Sequence, residues 1–359
     1  MKLLYVSGTY YPAAGGAEIS MHTFLKEAVK RGHNALVATD LGKINSGNSS
    51  IEYCGVKVTG LNHDFREVEL SKILDSFQPD WIITQLMWSD VALKIANENR
   101  IKSILRFCKI PAYLDISRDS EFSPTHVMVV SDYVREYVAE NWNRESIVIP
   151  PPIELGAVIA SDENDKQFIT MFNPNLKKGG EIFREVALRM PDHHFAGVSG
   201  WDILKKGEET DTEIVRRLCD SLRIEYKGQR LDDVSLDDLK NVRKFIYTNN
   251  VSEIYAQTRI LCIPSQWQEA FGRVSIEGMA NSIPVLGSNV GGLAEIVQKG
   301  GILITDFKNP DAWVEELKRL DNPEVYGEIA QKGRSYVERS YNYTTVCDNF
   351  FRIIEGEST

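Results

Sequence analysis

The sequence predicts an α/β protein built from two Rossmann-like, doubly wound domains. Short apolar runs bounded by Gly, Pro or polar residues alternate with segments of helical apolar periodicity, which is typical of parallel sheets covered by helices on both faces. A chain of 359 residues exceeds one ordinary core, so two domains of roughly 150 to 200 residues are expected. Three consecutive prolines, at 150–152, hold the chain extended, and the boundary between the two domains is expected there.

The first half begins with a βαβ unit. An apolar strand at 2–7 is followed by a loop and by a helix that Gly32 ends, and a second strand covers 35–39. Further strands are predicted at 56–60, 81–85, 103–108, 126–131 and 146–149, and helices at 68–77, 91–97 and 133–142. The N-terminal domain is therefore predicted to span residues 1–150.

The second half repeats this alternation. Strands are predicted at 168–173, 194–198, 225–227, 245–247, 259–264 and 283–286, and helices at 181–190, 212–222, 251–257 and after Gly272. The end of the chain, 327–355, has helical periodicity with a break near 340–342. The second domain is assigned to residues 151–335, and a C-terminal helical segment to 336–359.

Composition restricts the classes of protein. A hydrophobic content of 43% and a charged content of 26% are typical of soluble globular proteins, and no apolar run approaches the roughly 18 residues of a membrane span. The apolar run near the start covers only residues 3–6, which is too short for a signal peptide. Five scattered cysteines without a C-x-x-C pair indicate neither a zinc site nor a disulfide framework, so a cytoplasmic location is expected. The net charge of −10 argues against a nucleic-acid partner.

The stretch 264–292, PSQWQEAFGRVSIEGMANSIPVLGSNVGG, contains the strongest candidate site. Glu269 and Glu277 lie eight residues apart, one in a loop after a buried strand and the other on the helix that follows. Gly272 allows the backbone to approach a ligand closely, and the N-terminus of that helix favours an anion. Since a second strand ends nearby, the two loops are expected to meet in one crevice at the carboxyl edge of the sheet.

With P-S before it, F-G inside it, and I-P-V and G-G after it, this stretch resembles the E-x7-E signature of retaining GT-B glycosyltransferases, specifically glycosyltransferase family 4. The resemblance implies the GT-B fold, in which two Rossmann-like domains face a central cleft and the last helix returns to the first domain. It also implies that Glu269 binds hydroxyls of the donor sugar, that Glu277 accepts the ribose hydroxyls, and that backbone amides near Phe271 bind sugar or phosphate. The donor-binding residues implied in this stretch are Glu269, Ala270, Phe271, Gly272, Arg273 and Glu277.

Gly15 and Gly16 lie where the first strand meets its helix, so the backbone can approach a diphosphate or a sugar. This segment resembles the G-G-x-E loop with which the family opens and which lies against donor and acceptor. The alternative is an ordinary turn. Glu18 follows the pair, and on an exposed first turn it would simply favour the helix dipole.

The loop after the strand at 168–173 contains Lys178, whose ammonium is expected to neutralise the departing diphosphate. The family pattern at this place is R-x4-K-G, and Asn173 stands where the arginine is expected. The hypothesis is that Arg273 supplies the missing positive charge, the alternative being a solvated arginine at a helix start. The predicted catalytic residues are Glu269, Lys178 and Arg273, and Asn173 joins the donor-binding set.

A second departure from the family concerns a histidine that many members carry in a first-domain loop. The corresponding loop here, 108–113, has none, and Lys109 or Tyr113 would face the sugar unless the loop is simply a surface loop. Ser131 and Asp132 end a strand and are assigned an acceptor-side or structural role. Residues 228–229 and 249–250 are candidates for the edge of the base pocket.

The function predicted from these residues is transfer of a sugar, with retention, from a UDP- or GDP-sugar to an acceptor hydroxyl. No D-x-D pair occurs among the loop sites, so neither a metal nor a resident cofactor is expected. The acceptor would be a glycan, a lipid-linked molecule or a small molecule. The protein is expected to have no transmembrane segment, but a peripheral contact with a membrane is compatible with the sequence. Alternatives are a GT-B nucleotide-sugar epimerase, a phosphorolytic enzyme, and a homologue that binds nucleotide sugars without turnover.

Overall fold

A computed structural model describes residues 1–11, 15–40, 51–110, 122–160, 166–200, 234–246, 248 and 250–356. The described residues form two compact units. Unit 1 contains those of Met1–Pro152 and Val346–Thr359, and unit 2 contains those of Ile153–Leu204 and Lys227–Thr345. Each unit is an α/β structure with one sheet.

The sheet of unit 1 has eight strands within the described ranges: β1 Lys2–Val6, β2 Asn34–Thr39, β3 Ile51–Tyr53, β4 Val56–Gly60, β5 Trp81–Gln85, β6 Lys102–Phe107, β7 His126–Val129 and β8 Ile147–Val148. Their order is β3-β4-β2-β1-β5-β6-β7-β8, and every pair except β3 with β4 is parallel. The chain winds outward from β1 in both directions, which confirms the doubly wound prediction for this half.

The helices of unit 1 lie between these strands. They are α1 Gly16–Lys30, α2 Arg66–Phe77, α3 Ser89–Glu98 and α4 Asp132–Trp142. The central strands β1 and β5 are buried along nearly their whole length, because helices cover both faces of the sheet. This burial explains why the two strands have uninterrupted apolar runs in the sequence.

One further helix of unit 1 comes from the far end of the chain: α12, Tyr343–Glu355, which joins unit 1 from Val346 onward. The ring of Phe350 stacks on that of Phe24 in α1, with 4.5 Å between centroids. Arg31 Nη2 donates to Asp348 Oδ1 over 2.6 Å, and Trp81 Nε1 donates to the carbonyl of Ile354 over 3.0 Å. Side chains of α12 therefore complete the hydrophobic core of unit 1.

The sheet of unit 2 has six strands in the described part of the chain: β9 Phe168–Phe172, β10 Phe195–Val198, β11 Val242–Phe245, β12 Thr258–Ile263, β13 Val285–Ser288 and β14 Ile302–Ile304. Their order is β11-β10-β9-β12-β13-β14, and all pairs are parallel. The winding direction reverses between β9 and β12. The parallel α/β prediction is therefore confirmed for this half as well.

The helices of unit 2 are α5 Leu155–Val158, α6 Gly180–Arg189, α7 Ser252–Tyr255, α8 Arg273–Ala280, α9 Gly291–Gly300, α10 Pro310–Arg319 and α11 Pro323–Ser340. Asn-Pro pairs start the last two. In each, the Asn side chain accepts a hydrogen bond from a backbone N–H of the first turn, and the proline occupies a position that needs no N–H. Across the described residues, no helix combines the length and apolar content that crossing a bilayer requires.

Some elements of unit 2 differ from the sequence prediction. The strand predicted at 245–247 is β11, three residues earlier, and the helix predicted at 251–257 is the single turn α7. The strand predicted to begin at Ile283 begins at Val285, because the Ile283 N–H bonds the Gly278 carbonyl and closes α8. The elements predicted at 212–222 and 225–227 lie outside the described residues.

Candidate functional site

The candidate site of unit 2 lies at the carboxyl edge of its sheet, where the winding direction reverses. Strands β9 and β12 are parallel neighbours, so the loops that follow them leave the sheet at the same edge. Lys178 lies in the loop after β9, and Glu269 lies in the loop after β12. Such a reversal point is where open α/β sheets bind ligands.

Lys178 and Glu269 form an ion pair at this edge. Lys178 Nζ lies 2.6 Å from Glu269 Oε1, and the Ser265 hydroxyl donates to the same oxygen over 2.6 Å. The Glu269 side chain is only 8% exposed, whereas that of Lys178 is 31% exposed and lies 5.4 Å from the ring centroid of Trp267. Two of the residues predicted to be catalytic are therefore in direct contact.

The surroundings of Glu269 favour its ionised form. Burial acts to raise the pKa of this carboxyl, but the positive charge of Lys178 outweighs it together with hydrogen bonds from Lys178, Ser265 and Trp267. The net result is a pKa below the ordinary value of a glutamate. At neutral pH Glu269 is therefore a carboxylate in contact with the Lys178 side chain.

Glycines allow the loops of the site to pack closely. The N–H of Gly292 donates to the Glu269 carbonyl over 2.7 Å, and a Cβ at Gly291, where φ is +51°, would lie 2.3 Å from that carbonyl oxygen. A Cβ at Gly179, where φ is +83°, would lie 1.8 Å from the carbonyl oxygen of Pro264. A side chain at Gly179 would thus push the lysine and glutamate loops apart, and one at Gly291 would push the glutamate loop away from the loop after β13.

Gly272 marks the transition from the glutamate loop to α8. Its φ of +93° is left-handed, and a Cβ there would lie 2.7 Å from Leu293 Cδ1. The preceding side chains, Ala270 and Phe271, are 8% and 6% exposed, and the Phe271 ring packs against Tyr341. Since these side chains are buried, any contact of this segment with a ligand falls to its backbone.

Glu277 lies on α8 and is held on both sides. Tyr255 donates its hydroxyl proton to Glu277 Oε2 over 2.9 Å, and Arg273 Nη2 lies 3.3 Å from Glu277 Oε1. The Arg273 side chain is 15% exposed, so the alternative of a solvated arginine at a helix start is wrong. Tyr255 has no signal in the sequence, because it comes from the short helix α7, and only the fold brings its hydroxyl to α8.

Asn173, at the position of the expected arginine, shapes the lysine loop. Its backbone is left-handed, with φ of +56°, and its N–H continues the strand pairing by donating to the Val198 carbonyl over 2.7 Å. The neighbouring Asn175, which is 3% exposed and was not predicted, accepts a hydrogen bond from the Lys178 N–H over 2.9 Å. The asparagines thereby fix the backbone from which Lys178 extends.

Gly15 and Gly16 lie in unit 1, where Gly15 is the N-cap of α1. The Glu18 carboxylate lies against Gly15, where an added Cβ would be 2.2 Å from Glu18 Oε2. The Thr9 hydroxyl donates to Glu18 Oε1 over 2.8 Å. Burial raises the pKa of Glu18, against the hydrogen bond from Thr9 and the charges of Arg106 and Lys109. The alternative of an exposed Glu18 is wrong, since this side chain is buried and lies against Gly15.

The remaining predicted residues have mixed outcomes. The Ser131 hydroxyl accepts from the Val134 N–H over 3.2 Å and caps α4, which is a structural role. Tyr113, residues 228–229 and Asn249 lie outside the described residues. In the part of the chain that the structure covers, no three His, Cys, Asp or Glu side chains cluster as metal ligands would.

Comparison with known sequences places Glu269, Arg273 and Glu277 in a recognised segment. Residues 233–336 match the family described as "Glycosyl transferases group 1". The spore coat protein SA of Bacillus subtilis (strain 168) is 29% identical over 115 residues, which are 31% of this chain and 30% of that protein. An uncharacterized glycosyltransferase of Methanocaldococcus jannaschii is 27% identical over 175 residues, 44% of this chain and 47% of the relative. Each match thus spans less than half of the relative's own length.

Solved structures resemble the whole chain. The glycosyltransferase from Rickettsia africae ESF-5 aligns with a TM-score of 0.74 and 16% identity, covering 99% of this chain and 98% of that one. The sucrose-phosphate synthase of Thermosynechococcus elongatus gives 0.75, and Anabaena HepE in complex with UDP and glucose gives 0.72, each at 16% identity over 99% of this chain and 100% of the other. The chain has the GT-B fold.

Proposed function

We propose that this protein is a retaining glycosyltransferase that transfers a sugar from a nucleoside diphosphate sugar to an acceptor hydroxyl without a metal ion. The observation that carries the proposal is the Lys178–Glu269 pair, which lies 2.6 Å apart at the point where the sheet of unit 2 reverses direction. Glu269 belongs to the segment that matches the group 1 glycosyl transferases, and Lys178 precedes it in the chain.

Glu269 is suited to binding the transferred sugar. Its carboxylate is ionised at neutral pH, and Lys178 and Ser265 both bond Oε1. A carboxylate offers about four acceptor positions on its two oxygens, so about one position remains for a sugar hydroxyl beyond the bonds from Lys178, Ser265 and Trp267. Because the Gly292 N–H fixes the Glu269 carbonyl, the side chain starts from a defined backbone position. These contacts would orient the sugar before transfer.

Lys178 is suited to stabilising the leaving group. An ammonium has three N–H donors, and Glu269 takes one of them. As the bond between the anomeric carbon and the phosphate oxygen breaks, negative charge grows on that departing oxygen, and a fixed cation beside it lowers the barrier. The N-terminus of α8, which begins at Arg273 after Gly272, adds the positive end of a helix dipole. Losing one such preorganised donor costs about 2.7 to 4 kcal/mol in the transition state.

The donor is proposed to be a UDP- or GDP-sugar, with Glu277 at the ribose. Anabaena HepE, which has the same fold, is described in complex with UDP and glucose, and this supports a uridine donor. We expect the acceptor to be a glycan, a lipid-linked or a small molecule. Free cysteines such as Cys108 and Cys262 are compatible with a cytoplasmic protein.

The test is a panel of UDP-, GDP- and ADP-sugars incubated with the protein and candidate acceptors, with the released nucleoside diphosphate as the readout. We expect release by the wild type, a loss of about a hundredfold or more in Lys178→Met, and normal release by Lys177→Met, whose target is the exposed neighbouring lysine. The anomeric configuration of the product, determined by NMR, tests retention.

Other results of the same panel identify the alternatives. Binding without diphosphate release would contradict transfer and identify a non-catalytic nucleotide-sugar-binding protein. Conversion of the donor sugar into its epimer, again without acceptor glycosylation, would identify an epimerase.

A further inference from the structure

The backbone beneath Glu277 is fixed by Asn281. The side chain of Asn281 donates to the Glu277 carbonyl over 2.8 Å and to the Val158 carbonyl over 3.0 Å, and its Oδ1 accepts from the Ala160 N–H over 2.7 Å. These bonds tie the middle of α8 to the segment around α5. The remaining freedom of Glu277 therefore lies in the torsions of its own side chain.

Tyr255 restrains those torsions. It is fully buried in unit 2, its ring packs against Phe172 at 5.4 Å between centroids, and its hydroxyl lies 2.9 Å from Glu277 Oε2. Burial, followed by the charge of Glu277, raises the pKa of Tyr255 well above its ordinary value. The hydroxyl consequently stays protonated and acts as a donor to the carboxylate.

The remaining capacity of the Glu277 carboxylate defines what it can bind. Of about four acceptor positions, Tyr255 occupies one on Oε2 and Arg273 faces one on Oε1. Each oxygen therefore keeps one position, and the pair matches two hydroxyls on neighbouring carbons. A vicinal diol such as that of a ribose satisfies both at once, whereas a deoxyribose leaves one buried acceptor without a donor.

We propose that Tyr255 is a positioning residue that sets the Glu277 carboxylate for a ribose diol and thereby makes the protein select ribonucleotide over deoxyribonucleotide donors. The inference rests on the proposed function, since it takes the donor to be a nucleoside diphosphate sugar. It goes beyond that function by assigning a sugar selectivity to a residue that does not touch the ligand. A purely structural tyrosine would contribute packing alone.

The variant that separates these roles is Tyr255→Phe, which keeps the buried ring and removes only the hydroxyl. Tyr326→Phe is the matched control, because the half-buried Tyr326 donates to the Arg259 carbonyl over 2.9 Å elsewhere in unit 2. Both variants lose one tyrosine hydroxyl bond, but only the first alters Glu277. Urea unfolding of both verifies that they are folded before binding is measured.

The experiment measures dissociation constants of the full chain for UDP, 2′-deoxy-UDP and 3′-deoxy-UDP, or for the GDP series, by calorimetry. We expect the wild type to bind the ribonucleotide at least tenfold more tightly than either deoxy form, because the missing hydroxyl leaves a charged acceptor unpaired. In Tyr255→Phe, ribonucleotide binding should weaken about tenfold and deoxynucleotide binding much less, so that the preference shrinks. Tyr326→Phe should retain the wild-type preference.

Several results would overturn the inference. Equal weakening of ribo and deoxy forms by Tyr255→Phe would show a packing role, and unchanged binding would show that the hydroxyl is irrelevant to the ligand. A wild type that binds tightly but does not distinguish ribose from deoxyribose also contradicts it while leaving the transferase proposal intact. Absence of any nucleotide or nucleotide-sugar binding by the wild type would instead refute the proposed function, and the inference with it.

Discussion

Replacing Lys178 with methionine tests the energetics of the candidate site. The substitution keeps much of the side-chain volume and removes the ammonium that lies 2.6 Å from Glu269 Oε1. Removing one partner of a buried ion pair destabilises a protein by about 3 to 5 kcal/mol, because the other charge is left uncompensated. Since Lys178 is 31% exposed and the Ser265 bond to Glu269 remains, water and hydroxyl offset part of this loss. We therefore expect about 3 kcal/mol, at the lower end of that range.

The assay is urea unfolding of four proteins: the wild type, Lys178→Met, Glu269→Gln and the double variant. The double variant has a neutral amide in place of the buried carboxylate, so it should be more stable than Lys178→Met alone. The coupling free energy should be about 1.5 kcal/mol or more, within the range for residues in direct contact. Additive effects of the two substitutions would refute the predicted coupling. A Lys178→Met stability within about 0.5 kcal/mol of the wild type would refute it as well, since changes of that size are ordinary for surface sites.

Three further predictions concern other features. Gly291→Ala should lower the free energy of unfolding in urea by more than about 1 kcal/mol, because its Cβ meets the Glu269 carbonyl. The same variant should release no nucleoside diphosphate, and normal turnover would contradict this. Phe350→Ala should destabilise the protein by about 3 to 5 kcal/mol in urea through loss of a fully buried ring, and a loss below about 1 kcal/mol would show that α12 is dispensable for the core. Folding lowers the pKa of Glu269, so the stabilisation by its carboxylate is present above about pH 4.3 and is lost as the pH falls through the lower folded pKa. The difference in unfolding free energy between the wild type and Lys178→Met should therefore disappear in acid. A difference that is independent of pH would contradict the ion pair.

The sequence allowed Lys178 and Glu269 to be predicted as residues of one site, although their ion pair was not predicted. Both residues follow apolar runs that end at a loop, and parallel strands place such loops at one edge of a sheet. By contrast, nothing in the sequence indicated Tyr255, since a tyrosine in a one-turn helix has no periodicity and its contact with Glu277 spans 22 residues. The burial of Glu18 was missed for a related reason, because a carboxylate in a first helical turn is ordinarily solvated.

The strands were predicted best where helices cover the sheet on both faces. Strands such as β1 and β5 are apolar throughout and stand out, whereas the edge strand β11 has two exposed basic residues, Arg243 and Lys244, between Val242 and Phe245. These two adjacent exposed residues hid the strand, and the apolar residues that follow were taken as the strand instead. The edge strand β3 of unit 1 was missed because it is only three residues long, which is too short for a recognisable pattern.

The discontinuity of unit 1 affects how the chain matures on the ribosome. Its sheet is encoded by the first 152 residues, but the helix that covers Phe24 and Trp81 is encoded only beyond Val346. During translation, unit 2 intervenes, so an early unit 1 presents an open apolar groove while the whole of unit 2 is synthesised. Nascent chains stalled before Val346 should therefore associate with holding chaperones, and release of the last helix should end that association.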